Sequence, residues 1–211
     1  MEDKGILIVI SGFSGAGKGT LMKRLISEYG DYALSVSMTT RAPRQGEKEG
    51  VDYFYTDKQQ FEKTIAENGL IEYAEYCGNY YGTPRAYVEE QLSAGKNVIL
   101  EIEIQGARQI KKKFPEALLL FVTPPNAAEL ERRLKGRGTE DDAEIKRRLA
   151  RASEESEGIE DYDFIVINDD LDVCVKELHQ LVKSARNVPV RKTGFINEIR
   201  EQLKVYAKGE N

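Results

Sequence analysis

The segment Ile6-Leu7-Ile8-Val9-Ile10-Ser11-Gly12-Phe13-Ser14-Gly15-Ala16-Gly17-Lys18-Gly19-Thr20 constrains this chain more than any other. Its opening aliphatic run, with no polar alternation, predicts a fully buried strand. The run enters a glycine-rich turn, and Thr20 to Ile26 then carry apolar residues at helical spacing. Strand, glycine loop and helix in that order are the setting of a P-loop. Glycines at 12, 15 and 17 let the backbone turn its N–H groups inward around a polyphosphate. The helix N-terminus adds a favourable dipole, and Lys18 carries positive charge to the outer phosphates. Ser14, Ala16 and Gly19 complete the candidate cradle. In the strict pattern a hydroxyl follows the lysine and touches Mg²⁺. Here Gly19 stands there and the hydroxyl comes one residue later, at Thr20. Thr20 is therefore the candidate metal contact from the loop, with Mg²⁺ held mainly by phosphates and water.

The bulk properties narrow the class. A chain of 211 residues suits one domain with inserted lobes and buries roughly 70% of its unfolded surface. A formal net charge of −5 argues against nucleic acid as a partner. Cys77, Cys174 and the single histidine, His179, have no metal-ligand spacing, so no zinc site is expected. The cysteines read as idle thiols of a reducing compartment, and His179 as a helix residue rather than a base. The chain enters a core strand almost at once, which leaves no room for a signal peptide. No apolar run approaches the ~20 residues that span a bilayer. The expectation is a cytoplasmic protein without membrane contact.

Strand signals recur at 6–10, 97–104, 117–122 and 164–167, with helical patterns near 18–29, 84–94, 107–113, 126–135, 141–156 and 170–186. Such alternation predicts an α/β fold, a parallel sheet flanked by helices. Thr83 before Pro84 reads as a capping residue at a helix start, and Asn126 with Glu129 as a capping box. Two stretches break the alternation. Residues 37–83 carry short strand-like pieces, many tyrosines and a hairpin turn at Cys77-Gly78-Asn79, and read as an inserted lobe. Residues 126–151 are rich in arginine and interrupted by Gly136-Arg137-Gly138, hinge material that suits a mobile flap. The core is then 1–36, 84–125 and 152–188. In the tail, 189–211, Phe195, Ile196, Ile199, Leu203 and Tyr206 fall on one helix face, expected to pack on the core or on another subunit.

A second constellation runs Ser37-Met38-Thr39-Thr40-Arg41-Ala42-Pro43-Arg44-Gln45-Gly46-Glu47 and on to Gly50-Val51-Asp52-Tyr53. Two closely spaced arginines beside proline and glycine suit a loop that clamps an anion. Ile71-Glu72-Tyr73 and Asn79-Tyr80-Tyr81-Gly82-Thr83 follow. Glu101 and Glu103 alternate onto one face near the end of a strand, where open α/β sheets place ligands. Taken with the P-loop, these blocks resemble the guanylate kinase family, in order and over nearly the whole chain to about residue 187. The resemblance implies a P-loop kinase fold, with 37–83 as the GMP-binding lobe and 126–151 as a lid. It implies that Arg41, Arg44, Tyr53 and Tyr81 hold the GMP phosphate, and that Ser37, Glu72, Thr83 and Glu103 face its guanine. Glu101 would adjoin the water shell of Mg²⁺, and Arg133, Arg137 and Arg148 would point at phosphates. The segment Asn168-Asp169-Asp170 is similar to the stretch beside the adenine of ATP, with Asn168 the ATP contact. Arg132, Arg147 and Arg151 read as exposed partners of acidic residues one turn away. The chain departs from the family at Phe13, commonly proline, and at Glu103, usually aspartate.

The implied activity is ATP + GMP ⇌ ADP + GDP, with Mg²⁺ accompanying ATP, dGMP a further substrate and a homo-oligomer left open. The implied phosphoryl-transfer set is Lys18, Arg41, Arg133, Arg137 and Arg148, without a base, since the GMP phosphate is already an anionic nucleophile. Two other readings compete. A non-catalytic scaffold module of the same shape would be expected to lose P-loop or arginine positions, which this chain keeps. A kinase for another monophosphate would share the P-loop but lack the block at 37–53.

Overall fold

The computed structural model describes residues 4–76, 78–136 and 141–207. The chain opens with β1 (Leu7–Gly12), α1 (Lys18–Glu28), β2 (Tyr32–Leu34), β3 (Ser37–Thr39) and β4 (Tyr53–Tyr55). It continues through α2 (Lys58–Ala66), β5 (Leu70–Tyr76), β6 (Asn79–Pro84), α3 (Arg85–Ser93), β7 (Asn97–Glu101) and α4 (Ile104–Lys113). Then come β8 (Leu118–Thr123), α5 (Ala127–Gly136), α6 (Asp142–Ser156), β9 (Phe164–Ile167), α7 (Leu171–Ala185) and α8 (Thr193–Ala207).

Five parallel strands in the order β2-β7-β1-β8-β9 form the main sheet, with β1 at its centre. Ile6, Ile8 and Ile10 point to one face, among Leu21, Met22 and Leu25 of α1 and Val175, Leu178 and Val182 of α7. Leu7 and Val9 point to the other, among Val98, Leu100 and Leu119 and, from α4, Ala107 and Ile110. Both faces are covered, which is why the sequence there shows an unbroken apolar run. Each such side chain contributes about 1.5–3 kcal/mol on burial. The sheet therefore fixes the glycine loop that leaves the C-terminal end of β1.

A second sheet of four strands, β4-β3-β6-β5, is built from the stretch expected as an inserted lobe, with β6 running one residue further, to Pro84. Its β5–β6 hairpin turns through Gly78, whose φ is 73°, with Tyr76 opposite Asn79. Cys77 of that turn lies outside the described residues, as do Arg137 and Gly138. Helices α5 and α6 enclose a small apolar cluster of Leu130, Leu134, Ile145 and Ala152. Phe13 packs against this cluster and against the main core, with its ring edge-on to Phe121 at 5.1 Å. The aromatic at the proline position thus ties the glycine loop to the arginine-rich helices.

The structure corrects several boundaries. The strand expected over 97–104 ends at Glu101, because Glu103 caps α4 with its carbonyl accepting from the Ala107 N–H at 3.0 Å. Thr83 is not a helix cap. β6 runs through to Pro84, which is itself the capping residue, and the Thr83 hydroxyl is used elsewhere. Asn126 does cap α5, accepting from the Glu129 N–H at 2.9 Å, but the Glu129 carboxylate turns to Arg132 and Arg133 instead of closing the box. The lobe also contains a helix, α2, started by Asp57 accepting from the Gln60 N–H at 2.7 Å and anchored by the buried Phe61.

His179 stacks on Tyr29 and lies 2.8 Å from the Tyr32 hydroxyl, a packing role. Cys174 is buried, which pushes its thiol up to about 11. The tail is helical, but α8 does not bury its apolar face within this chain. Phe195, Leu203 and Tyr206 are 64%, 56% and 80% exposed. No helix among the described residues is long and apolar enough to cross a membrane.

Candidate active site

The loop between β1 and α1 is shaped by close approaches that exclude side chains. Gly12 lies so near β8 that a Cβ would fall 2.1 Å from the Val122 carbonyl oxygen. Gly17 caps α1 with φ 89°, a conformation that glycine adopts at little cost, and the Asn168 amide occupies the place of its missing side chain. Lys18 is the first residue of α1, and its ammonium donates to the Gly12 and Phe13 carbonyls at 2.8 and 3.3 Å. The orphan N–H groups of the helix start and this mobile cation converge on one spot, which suits a polyphosphate.

Asn168 differs from expectation. It is 6% exposed, and its amide donates to the Ala16 carbonyl at 2.8 Å, so it braces the loop from behind. Its neighbour Asp169 is exposed. It lines a hollow of about 620 Å³ together with Arg133, Arg132 and Asn126. Arg133 also donates to Ala16 O at 3.4 Å and pairs with Glu129 at 2.6 Å. Arg148 reaches the Ser14 hydroxyl at 3.2 Å. Both arginines therefore border the glycine loop. Arg132 and Arg147 instead form the exposed pairs expected of them, with Glu129 at 2.6 Å and Glu144 at 2.5 Å.

Between the two sheets and α6 lies a cleft of about 770 Å³. It gathers Gly12, Lys18, Ser37, Arg41, Arg44, Tyr53, Glu72, Tyr81, Glu101 and Glu103, residues from distant parts of the chain. At its lobe side Arg41 is gripped by Glu47 through both carboxylate oxygens, each at 2.9 Å. The Arg41 guanidinium also lies 5.3 Å from the Tyr53 ring centroid. Glu47 further accepts from the Arg44 N–H and the Tyr55 hydroxyl, both at 2.7 Å. The Arg41 guanidinium, with those two donors, holds the Glu47 carboxyl down at about 2. Glu47 organises the whole anion loop, a role that its place at the end of the motif did not disclose.

The opposite end is built around Glu72. Its carboxyl is 3% exposed and accepts from the Thr83 hydroxyl at 2.6 Å. Burial outweighs that bond and pushes the group up to about 7. Partial desolvation by the cleft walls raises Glu101 and Glu103 from the ordinary carboxylate value although both keep contact with solvent, while Lys18 works against it in both. Glu103 is bonded to Arg151 at 3.2 Å. Arg151 does pair with Glu155 one turn away, at 2.7 Å, but it also lies 4.1 Å from the Tyr76 ring centroid. It thereby bridges α6, the start of α4 and the tip of the lobe, which its helical spacing alone could not reveal.

Thr20 is exposed on the first turn of α1, and Glu101 lines the cleft beside Lys18. Among the described residues no three His, Cys, Asp or Glu side chains cluster to hold a metal. This donor set fits a cation that arrives on a nucleotide, with phosphates and water filling most of its shell.

A parallel α/β sheet, a glycine loop at the end of its central strand and a cationic cleft beside a second sheet define a P-loop kinase. The comparisons make the family specific. The family profile described as guanylate kinase matches residues 4–185. A guanylate kinase of Synechococcus is 52% identical over 178 residues, 84% of this chain and 95% of the relative. That of Clostridioides difficile is 47% identical over 201 residues, 95% of this chain and 98% of the relative. The crystal structure of guanylate kinase from Anaplasma phagocytophilum superposes with a TM-score of 0.76 at 29% identity, covering 100% of this chain and 99% of that one. The chain belongs to the guanylate kinase family.

Proposed function

We propose that this chain transfers the γ-phosphoryl group of ATP to GMP or dGMP, giving ADP and the nucleoside diphosphate. The observation that carries this reading is that one cleft joins Lys18, the Arg41–Arg44 loop and the buried carboxyl of Glu72. Phosphoryl transfer asks little covalent chemistry of a protein, and positioning and cationic stabilisation carry the rate. The P-loop backbone and Lys18 hold the ATP phosphates. Arg41, Arg44, Tyr53 and Tyr81 hold the acceptor phosphate in line, and Glu47 keeps Arg41 aimed. Ser37, Glu72, Thr83 and Glu103 face the guanine. Arg133 and Arg148, which already touch the loop, and Arg137 cover the transferring group from α5, α6 and the stretch between them. That unit, 126–151, acts as the lid and excludes water, which would otherwise accept the phosphoryl group. Mg²⁺, when bound, neutralises phosphate charge, with Glu101 and Thr20 facing its water shell. The cytoplasm, where GMP and ATP are at hand, is the compartment this reading implies.

Turnover with ATP against a panel of GMP, dGMP, IMP, AMP and dTMP tests the reading. GMP and dGMP should be used far better than the others. Equal use of AMP, or no turnover with any acceptor, would overturn it.

The tail is read as taking no part in this chemistry, since among the described residues the cleft is lined by none further along than Gly158. Deleting 189–211 should leave the GMP affinity within a few-fold, while stability or assembly changes with loss of the exposed α8 face. Calorimetric titration of the truncated protein with GMP checks this. A folded truncation that no longer binds GMP would place the tail in the site.

A further inference from the structure

Gly106 is the third residue of α4 and is buried. A Cβ at this position would stand 2.8 Å from Oε2 of Glu72 and 3.2 Å from Cδ1 of Ile102. The Glu72 carboxylate is tethered on its far side. Its other oxygen, Oε1, accepts from Thr83 at 2.6 Å, and the carboxyl is 3% exposed. A glycine within a helix carries a cost of roughly 0.5–1 kcal/mol relative to alanine. The space that a side chain at 106 would take is filled instead by the Glu72 carboxyl and the Ile102 side chain.

We propose that Gly106 is a specificity-determining positioning residue: its missing side chain is the space in which the Glu72 carboxylate lies, and that space sets the carboxylate where it can take both guanine donors. The inference rests on the reading of Glu72 as the group that meets the base. A methyl group at 106 pushes the carboxylate off its position and separates its two oxygens from N1–H and the exocyclic amine together. The nearest neighbours of that added methyl group are Glu72 and Ile102, so the displacement falls on the base contact.

The test is Gly106→Ala, measured with GMP and IMP as acceptors, with Glu72→Gln and the double variant Gly106→Ala/Glu72→Asp in parallel. Gly106→Ala is expected to lower kcat/KM for GMP by about 10- to 100-fold, mainly through KM, as a mispaired buried carboxylate should. IMP, which lacks the amine, loses less, so the GMP/IMP ratio shrinks while KM for ATP stays within about twofold. Aspartate is one methylene shorter and withdraws from the methyl group, so the double variant should regain part of the GMP/IMP ratio. If Gly106→Ala does not fold, recovery of folded protein in the double variant reads the same collision. An unchanged GMP/IMP ratio in folded Gly106→Ala, or no recovery of ratio or folding in the double variant, overturns the proposal. Glu72→Gln separates the two layers. A changed base preference in Glu72→Gln beside an unchanged one in Gly106→Ala defeats the role of Gly106 alone. Unchanged preference in Glu72→Gln defeats the reading of Glu72 and this inference with it.

Discussion

Lys18→Met is expected to lower turnover by about 10²–10³-fold, the size of one preorganised charge contact to a transition state. GMP binding should survive almost intact, because the proposed acceptor contacts, Arg41, Arg44 and Glu72, lie on other elements. The ammonium now rests on the Gly12 and Phe13 carbonyls at 2.8 and 3.3 Å. It can exchange those neutral acceptors for phosphate oxygens without moving the helix that carries it. Methionine is flexible and of similar size, and it loses the charge together with the donor bonds to those two carbonyls. Folding should not suffer, since the loop is shaped by Gly12 against β8 and by Asn168 on Ala16 rather than by the lysine. Single-turnover rates beside calorimetric GMP affinities make the comparison. Near-normal turnover in folded Lys18→Met would reject a P-loop mechanism.

Much of this was legible in the chain because of where its residues are buried. β1 sits mid-sheet with both faces covered, so its sequence is continuously apolar and its end is marked by glycines that sterics demand. The family blocks at 37–53 and 79–83 place Ser37, Arg41, Arg44, Tyr53 and Tyr81 on the lobe side of the cleft, because arginines and tyrosines clustered beside proline and glycine stand out from the pattern of a strand or helix. What escaped depended on partners far along the chain. α2 shows only one fully buried side chain, Phe61, among polar neighbours, too weak a period to stand out. Glu101 and Glu103 keep the extended alternation of a strand, yet pairing stops at Glu101, because the next residues leave the sheet to start α4. Arg151 has an acidic residue one turn away, so its spacing shows a surface pair. Its contacts to Glu103 and Tyr76 exist only once the lobe is folded over. Asn168 follows a strand end, where ligands gather, but the fold turns its amide inward to hold a carbonyl of the loop.

Glu72→Gln is expected to cost GMP about 10- to 100-fold in kcat/KM and to narrow its advantage over AMP and IMP. Guanine offers N1–H and the N2 amine as adjacent donors, which one carboxylate accepts together. Adenine presents an acceptor at N1 and no amine, and hypoxanthine keeps N1–H alone, so the wild type should rank GMP above IMP above AMP. Glutamine has a single acceptor oxygen, and its NH₂ meets a guanine donor head-on. The pH dependence carries the same signature. In the unliganded protein burial lifts Glu72 from 4.5 to about 7, so below neutrality one carboxyl oxygen bears a proton and cannot accept. Only the ionised form takes both donors, and GMP affinity should rise as pH climbs through about 7. Binding near pH 6.5 should then release a proton, measurable by titration calorimetry in two buffers of different ionisation enthalpy. The GMP phosphate titrates in the same range, so the quantity to compare is the difference between wild type and Glu72→Gln, in which only the carboxyl is missing. Stability of the unliganded fold runs the other way. A carboxyl raised in the folded state favours folding less and less as pH rises from 4.5 to about 7, and Glu72→Gln should flatten that decline. If the two proteins release equal numbers of protons and rank the three bases alike, Glu72 does not read the base.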